Sequence, residues 1–170
     1  SLENPIINLI HIGRFDPSKN IELIVTEIRD LRIKHPGLNL NIIGSPSSSR
    51  FQDYMELVKS KFAADIKIGW LTFMPAIERK KIPDELKKHD CFVHAFQGSL
   101  DKTLVEATLS AIPVATINRE YLKIFGRWNS SNSGNQASLS NELGSLLKLG
   151  AAAITEEVDR RYNIARADHD

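Results

Sequence analysis

The sequence predicts a three-layer α/β domain, a parallel sheet with helices on both faces. Two observations carry that expectation. Short apolar runs alternate with segments of helical apolar spacing, the pattern of strand–helix–strand units. The runs are apolar on nearly consecutive residues, so both faces of each strand are covered. With 170 residues, 42% of them hydrophobic, the chain is one domain by length and large enough for a real core. Sheets of this kind bind ligands at the carboxyl ends of their strands.

Ile6 to Ile12 (Ile-Ile-Asn-Leu-Ile-His-Ile) reads as the first buried strand. Asp16-Pro17 supplies an N-cap and a first helical position. Ile21, Ile24, Val25, Ile28 and Leu31 then recur at helical spacing until Pro36-Gly37 stops the helix. Leu38 to Ile43 is a second strand, ended by Gly44 and the loop Ser45-Pro46-Ser47-Ser48-Ser49. Phe51, Tyr54, Met55, Val58 and Phe62 space a second amphipathic helix, and a short strand is expected around Ile66 to Ile68. A helical stretch from Ala76 to Lys88 is expected to break or bend at Pro83. Cys91 to His94 reads as a strand, Leu100 to Ala111 as a helix and Pro113 to Ile117 as another strand. Asn129 to Asn135 is polar and rich in Ser, Asn and Gly, a flexible surface loop by composition. Leu139, Leu143, Leu146 and Leu147 line one side of a helix from Ala137 to Lys148. A final helix is expected to be capped by Thr155, with Glu156 and Glu157 in its first turn. On this layout Arg14, Ser45, Trp70 and Gly98 each follow a strand and share one edge of the sheet.

Lys and Arg total 22 against 21 for Asp and Glu, which argues against the basic stripe of a nucleic-acid binder. No apolar stretch approaches the roughly 18 residues of a membrane span, and no signal peptide is read. The single Cys91 excludes an intrachain disulfide and fits a reducing compartment. The expected location is therefore cytoplasmic. Both ends read as cut, so residues 1–170 are expected to be a single domain excised from a longer protein. No His, Asp and Cys cluster has metal-ligand spacing.

Two cations stand where the first strand gives way to a helix, in the run Gly13-Arg14-Phe15-Asp16-Pro17-Ser18-Lys19-Asn20. A helix start already carries partial positive charge, so a Lys there costs from a few tenths to about 1 kcal/mol. Arg14 and Lys19 make physical sense at such an end if an anion, most often a phosphate, sits between them. The second segment of interest is Gly98-Ser99-Leu100-Asp101-Lys102-Thr103-Leu104-Val105-Glu106-Ala107. Gly98-Ser99 lets the backbone approach a ligand closely, and the helix that follows offers free N–H groups to an anion. Thr103, Glu106, Ala107 and Ser110 share a side of small and polar residues. From it Glu106 can accept two hydrogen bonds from a vicinal diol such as ribose O2′ and O3′. By spacing alone, a solvated helix Glu is an equal reading.

In order and spacing, about 80 to 90 residues apart, these segments resemble the C-terminal domain of retaining GT-B glycosyltransferases of family 4, the glycosyl transferases group 1. Gly13 to Asn20 is similar to that family's GR-hydrophobic-x-x-x-K-N. The segment from Gly98 through Glu106-Ala107 to Ile112-Pro113-Val114-Ala115-Thr116 resembles its E-x7-E helix followed by EA and PV-x-AT. The likeness runs from about Ile6 to Ile117 and more loosely through the C-terminal helices. It implies a Rossmann-like nucleotide-sugar donor domain, with an N-terminal acceptor domain missing from this chain. Membrane contact is implied only peripherally, through that missing domain.

The resemblance further implies that Arg14 and Lys19 bind the donor's diphosphate and act catalytically, stabilising charge on the departing nucleoside diphosphate. Glu106 is then the ribose ligand. The amides around Leu100, Asp101 and Lys102, beside Gly98 and Ser99, face the sugar and distal phosphate. Gly44, Ser45 and the stretch Ile68 to Leu71 shape the base pocket. No cofactor or metal is implied, since the basic pair serves the leaving group. The position eight before Glu106, where the family commonly has its first Glu, is Gly98. Asp101 either stands in for that Glu or caps the helix.

The function so implied is donor binding during transfer of a hexose-type sugar, with the isolated domain inactive. A GT-B nucleotide-sugar epimerase domain and a non-catalytic doubly wound partner-binding domain are the alternatives. A dinucleotide oxidoreductase is disfavoured, because no G-x-G-x-x-G follows the first strand. Among other candidates, His11 reads as a satisfied core histidine, and His94 as close to the site without a catalytic role. Trp70 and Phe73 read as hinge or core residues sooner than base-stacking ones. Lys80-Lys81 and Lys87-Lys88 read as a wet helix face.

Overall fold

The computed structural model describes residues 3–130 and 137–169. Its strands are β1 (Asn8–Ile12), β2 (Asn39–Ile43), β3 (Leu71–Met74), β4 (Cys91–His94) and β5 (Val114–Thr116). They form one sheet in the order β3-β2-β1-β4-β5, with every neighbouring pair parallel. The chain steps outward from β1 to β2 and β3, then returns to lay β4 on the other side of β1. That reversal makes the loops after β1 and β4 diverge over a crevice at their carboxyl ends, the place where such sheets bind ligands.

The helices among the described residues are α1 (Ile21–Leu31), α2 (Gln52–Lys61), α3 (Ala63–Ile68), α4 (Ile82–Lys87), α5 (Lys102–Leu109), α6 (Arg119–Phe125), α7 (Leu139–Leu147) and α8 (Ala151–His169). Successive strand side chains point to opposite faces, so consecutive apolar residues build two cores. On one face Leu9, Leu40, Ile42 and Val93 pack with Ile24 and Ile28 of α1, Val58 of α2 and Leu143 and Leu146 of α7. On the other, Ile10, Ile43, Phe92 and Val114 pack with Leu86 of α4, Leu104 and Ala107 of α5, and Tyr121 and Phe125 of α6. The three-layer parallel architecture expected from the apolar runs is the observed one. Arg161 pins α8 to it: the buried guanidinium donates to the Val114 carbonyl at 3.4 Å and the Gly126 carbonyl at 3.3 Å, and lies 4.4 Å from the Trp128 ring. No helix among the described residues is long and apolar enough to cross a membrane.

Three local expectations are corrected, and one helix is added. Ile66 to Ile68 is the end of α3, closed by Gly69, and the strand comes later at Leu71–Met74. A short apolar alternation serves a last helical turn as well as a strand, and here the Gly just past its end decided for the helix. Pro83 lies in the first turn of α4, where its missing N–H breaks no hydrogen bond, so it starts a helix instead of bending one. Thr155 is inside α8, which begins at Ala151. Helix α6 was not expected; it starts on Asn118, whose side chain accepts from the Tyr121 N–H at 3.0 Å. The expected loop from Asn129 to Asn135 lies largely outside the described residues.

Candidate functional site

The crevice over β1 and β4 holds a cavity of about 490 Å³, within the usual range for small-molecule sites. Its floor is two loops running side by side. Gly13 N–H donates to the Ile43 carbonyl at 3.1 Å and Phe15 N–H to the Ser45 carbonyl at 2.8 Å. A Cβ on Gly44 would stand 1.9 Å from the Gly13 carbonyl oxygen, so only glycine permits this approach. Ser45 Oγ accepts from the Ala76 N–H at 2.9 Å and draws the loop after β3 to the same edge.

The loop after β1 makes one tight turn over Pro17–Lys19, capped by Asp16, which accepts from the Ser18 N–H at 2.9 Å. Asn20 then adopts a left-handed conformation (φ 54°) and donates from its side chain to the Ala95 carbonyl at 2.8 Å. Asn tolerates that backbone, and the bond ties the loop to the end of β4. Lys19 is thereby turned inward and buried. Its Nζ lies 3.2 Å from Asp101 Oδ2 and 3.8 Å from the centroid of the Phe96 ring. Arg14 lines the cavity from an exposed position, and its guanidinium makes no ion pair with any described residue.

Asp101 occupies the N-cap position of α5 without capping it; its carboxylate goes to Lys19 and to His94 Nε2, 2.9 Å away. Burial pushes this carboxyl up, but His94 and then Lys19 outweigh it and hold the group below the ordinary carboxylate value. The network assigns the His94 tautomer. Nε2–H donates to Asp101, and Nδ1 accepts from Thr116 Oγ1 at 2.9 Å, which in turn accepts the Asn118 N–H at 3.0 Å. Burial lowers the His94 pKa against the pull of Asp101. His11, its ring 6.1 Å from that of His94, donates from Nδ1 to the Val93 carbonyl at 2.9 Å. Its Nε2 is buried with no hydrogen-bond partner. Burial, then His94, lowers its pKa to about 4.

Further along α5, Glu106 accepts from Arg79 Nη2 at 2.5 Å. Arg79 lines the cavity, whereas Glu106 sits just behind it. Leu100, Asp101 and Lys102 line the cavity together with Gly44 and Ser45. Gly98 and Ser99 lie in the exposed loop outside the lining, where Asn118 Nδ2 holds the Phe96 and Ser99 carbonyls at 2.9 and 3.0 Å. A Cβ on Gly98 would lie 2.2 Å from the tip of the Phe96 ring, the ring that Lys19 covers.

Leu71 is a correction: it is buried at the amino end of β3, away from the cavity, because the strand follows it instead of preceding it. Ala76, Ile77 and Arg79 form the wall assigned to that stretch. Trp70 likewise does not reach the ligand edge; its Nε1 donates to Asp65 Oδ1 at 3.1 Å, and Phe73 packs against Phe15. Cys91 is buried and burial pushes its thiol up, which leaves it inert. Among the described residues no group of His, Cys, Asp and Glu could hold a metal ion. Sequence reasoning missed Arg79, Phe96, Thr116 and Asn118, and the structural role of Asn20. Asn20 adjoins Lys19 and Thr116 closes the Pro113-to-Thr116 motif, which are usable signals; nothing local marks Arg79, Phe96 and Asn118.

The family described as glycosyl transferases group 1 matches residues 4–157. No curated protein matches the chain. Among solved structures, the pneumococcal O-GlcNAc transferase GtfA, in complex with UDP and GlcNAc, is 18% identical with a TM-score of 0.69, over 97% of this chain and 33% of that one. Alr3699/HepE from Anabaena, in complex with UDP and glucose, is 16% identical with a TM-score of 0.77, over 97% of this chain and 45% of that one. The C-terminal domain of the group 1 family protein LpcC from Francisella tularensis is 16% identical with a TM-score of 0.77, over 98% of this chain and 88% of that one. At such identities the likeness is one of fold. The chain spans a third to less than half of the first two. With nearly its whole length matched by the family, the chain belongs to the glycosyl transferases group 1, a glycosyltransferase family of the GT-B superfamily.

Proposed function

We propose that this chain is the nucleotide-sugar donor domain of a retaining family 4 glycosyltransferase, the C-terminal half of a two-domain protein. The observation that carries the reading is Arg14 and Lys19 facing one cavity with the start of α5. The diphosphate of the donor lies between the guanidinium and the ammonium. Lys19 has three N–H donors, so it keeps Asp101 and still reaches a phosphate oxygen. As the bond from sugar to phosphate breaks, negative charge grows on the leaving diphosphate. Both cations and the first amides of α5 stabilise that charge, with no metal required. Glu106 takes the ribose hydroxyls. Neighbours solved with UDP and GlcNAc or with UDP and glucose support a nucleoside-diphosphate donor and a hexose-type sugar. The acceptor site belongs to a partner domain outside this chain, so the chain alone binds donor and transfers nothing. Its expected location is cytoplasmic.

Calorimetric titration with UDP, GDP and ADP tests this. At least one nucleotide binds, and Arg14→Ala weakens it by about 10-fold or more, the range for losing a hydrogen bond to a charged group. Arg14 is exposed and unpaired, so thermal stability stays unchanged. Lys19→Ala loses affinity and stability together, because the half-buried Asp101 carboxylate loses its cation and keeps only His94. Silence from all three nucleotides would overturn the reading, and sugar transfer by the chain alone would remove its division of labour.

A further inference from the structure

We propose that Arg79 is a positioning residue for nucleoside recognition, holding Glu106 toward the ribose; this rests on the donor-site reading above. Glu106 does not itself line the cavity, and Arg79 does. The guanidinium bonds only one carboxylate oxygen, Oε1, so Oε2 keeps its lone pairs for a ligand hydroxyl. Arg79 differs from its neighbours: Lys80 and Lys81, in the same turn, pair with Glu78 in solvent.

The base of Arg79 is well anchored. The preceding loop is hung on Ser45 through the Ala76 N–H, and Ile82 and Leu86 just beyond are buried in the core that Leu104 and Ala107 of α5 share. The guanidinium therefore reaches Glu106 from a fixed start, across a contact between two packed helices. A glutamate on a helix surface otherwise samples several rotamers, and fixing one before ligand arrives removes part of the entropy lost on binding. Arginine suits the task because its rigid guanidinium is always charged and gives up less rotamer freedom per hydrogen bond than the ammonium of lysine.

The test measures wild type, Arg79→Ala, Arg79→Lys and Glu106→Gln by calorimetry. The probes are UDP, GDP or ADP (whichever wild type binds most tightly), its 2′-deoxy analogue, and inorganic pyrophosphate. Arg79→Ala should weaken the ribonucleotide by about 5- to 10-fold, as expected for one misplaced charged hydrogen bond. The same variant should change the deoxy analogue and pyrophosphate by no more than about twofold, and Arg79→Lys should recover part of the loss. A merely structural arginine would not distinguish ribose from deoxyribose. Equal losses on all three probes would make Arg79 another phosphate cation, and tighter binding would make it a block over Glu106; either overturns the proposal. If Glu106→Gln erases the preference for ribose while Arg79→Ala leaves it intact, only the role of Arg79 falls. If wild type shows no preference for ribose, or binds no nucleotide, the donor-site reading itself falls.

Discussion

Gly44→Ala is expected to cost about 3 kcal/mol or more of folding stability, the upper end of what overpacking does. The new methyl would stand 1.9 Å from the Gly13 carbonyl oxygen, a backbone atom. Neither backbone can retreat cheaply. Gly13 N–H is bonded to the Ile43 carbonyl at 3.1 Å and Gly44 N–H to the Met74 carbonyl at 3.0 Å, so moving one loop breaks the ladder of β1, β2 and β3 at its carboxyl end. Denaturant titration measures the loss. Gly37→Ala is the control: nothing lies within 4 Å of the added methyl, and the change should stay within about 0.5 kcal/mol. Gly98→Ala falls between them, since the atom it meets is the tip of the Phe96 side chain, which can swing. If Gly44→Ala and Gly37→Ala unfold alike, the side-by-side packing of the two loops is wrong.

Acidification from pH 7 to 4 should remove on the order of 3 kcal/mol of stability through His11 alone. The ring is buried, and its pKa falls from 6.5 to about 4 in the folded protein, first by burial and then by His94, with Lys19 adding to the effect. Between those values the unfolded chain binds a proton that the folded chain refuses. Stability therefore rises with pH across this window, by up to about 1.4 kcal/mol per pH unit, and levels off above 6.5. His94 is shifted in the same direction and adds to the slope. Asp101, held below 3.8, acts at lower pH: its contribution is lost as acid protonates the carboxylate. Denaturant titrations from pH 7.5 to 4 measure the slope. His11→Gln should flatten it while His94 keeps a remainder. A wild-type stability that stays constant from pH 6.5 to 4.5 would show that the His11 ring is hydrated in the folded protein.

Much of the fold was legible because its signals are local. Leu9-Ile10-His11-Ile12 and Cys91-Phe92-Val93-His94 are nearly apolar throughout because both sheet faces are covered. The residues Ile21, Ile24, Val25 and Ile28 announce the buried side of α1. The third strand was misplaced because Ile66-Lys67-Ile68 carries an alternation too short to separate a strand from a helix end, and that error drew Trp70 and Leu71 to the wrong edge. Arg14 and Lys19 were legible as cations at a strand–helix junction, a place where charge of that sign needs a reason.

By itself, the chain's residue order determined the parallel three-layer class, most element positions and the two cations after β1. Periodicity and junction chemistry are properties of neighbours along the chain, and no partner is needed to read them. Tertiary structure alone decided that β4 lies beside β1, which brings Asp101 to Lys19 across 82 positions and Arg79 to Glu106 across 27. A carboxylate on a helix has the same local pattern whether it caps that helix or reaches another loop. The choice is made by strand order and helix packing, which bring together charges that no local window contains.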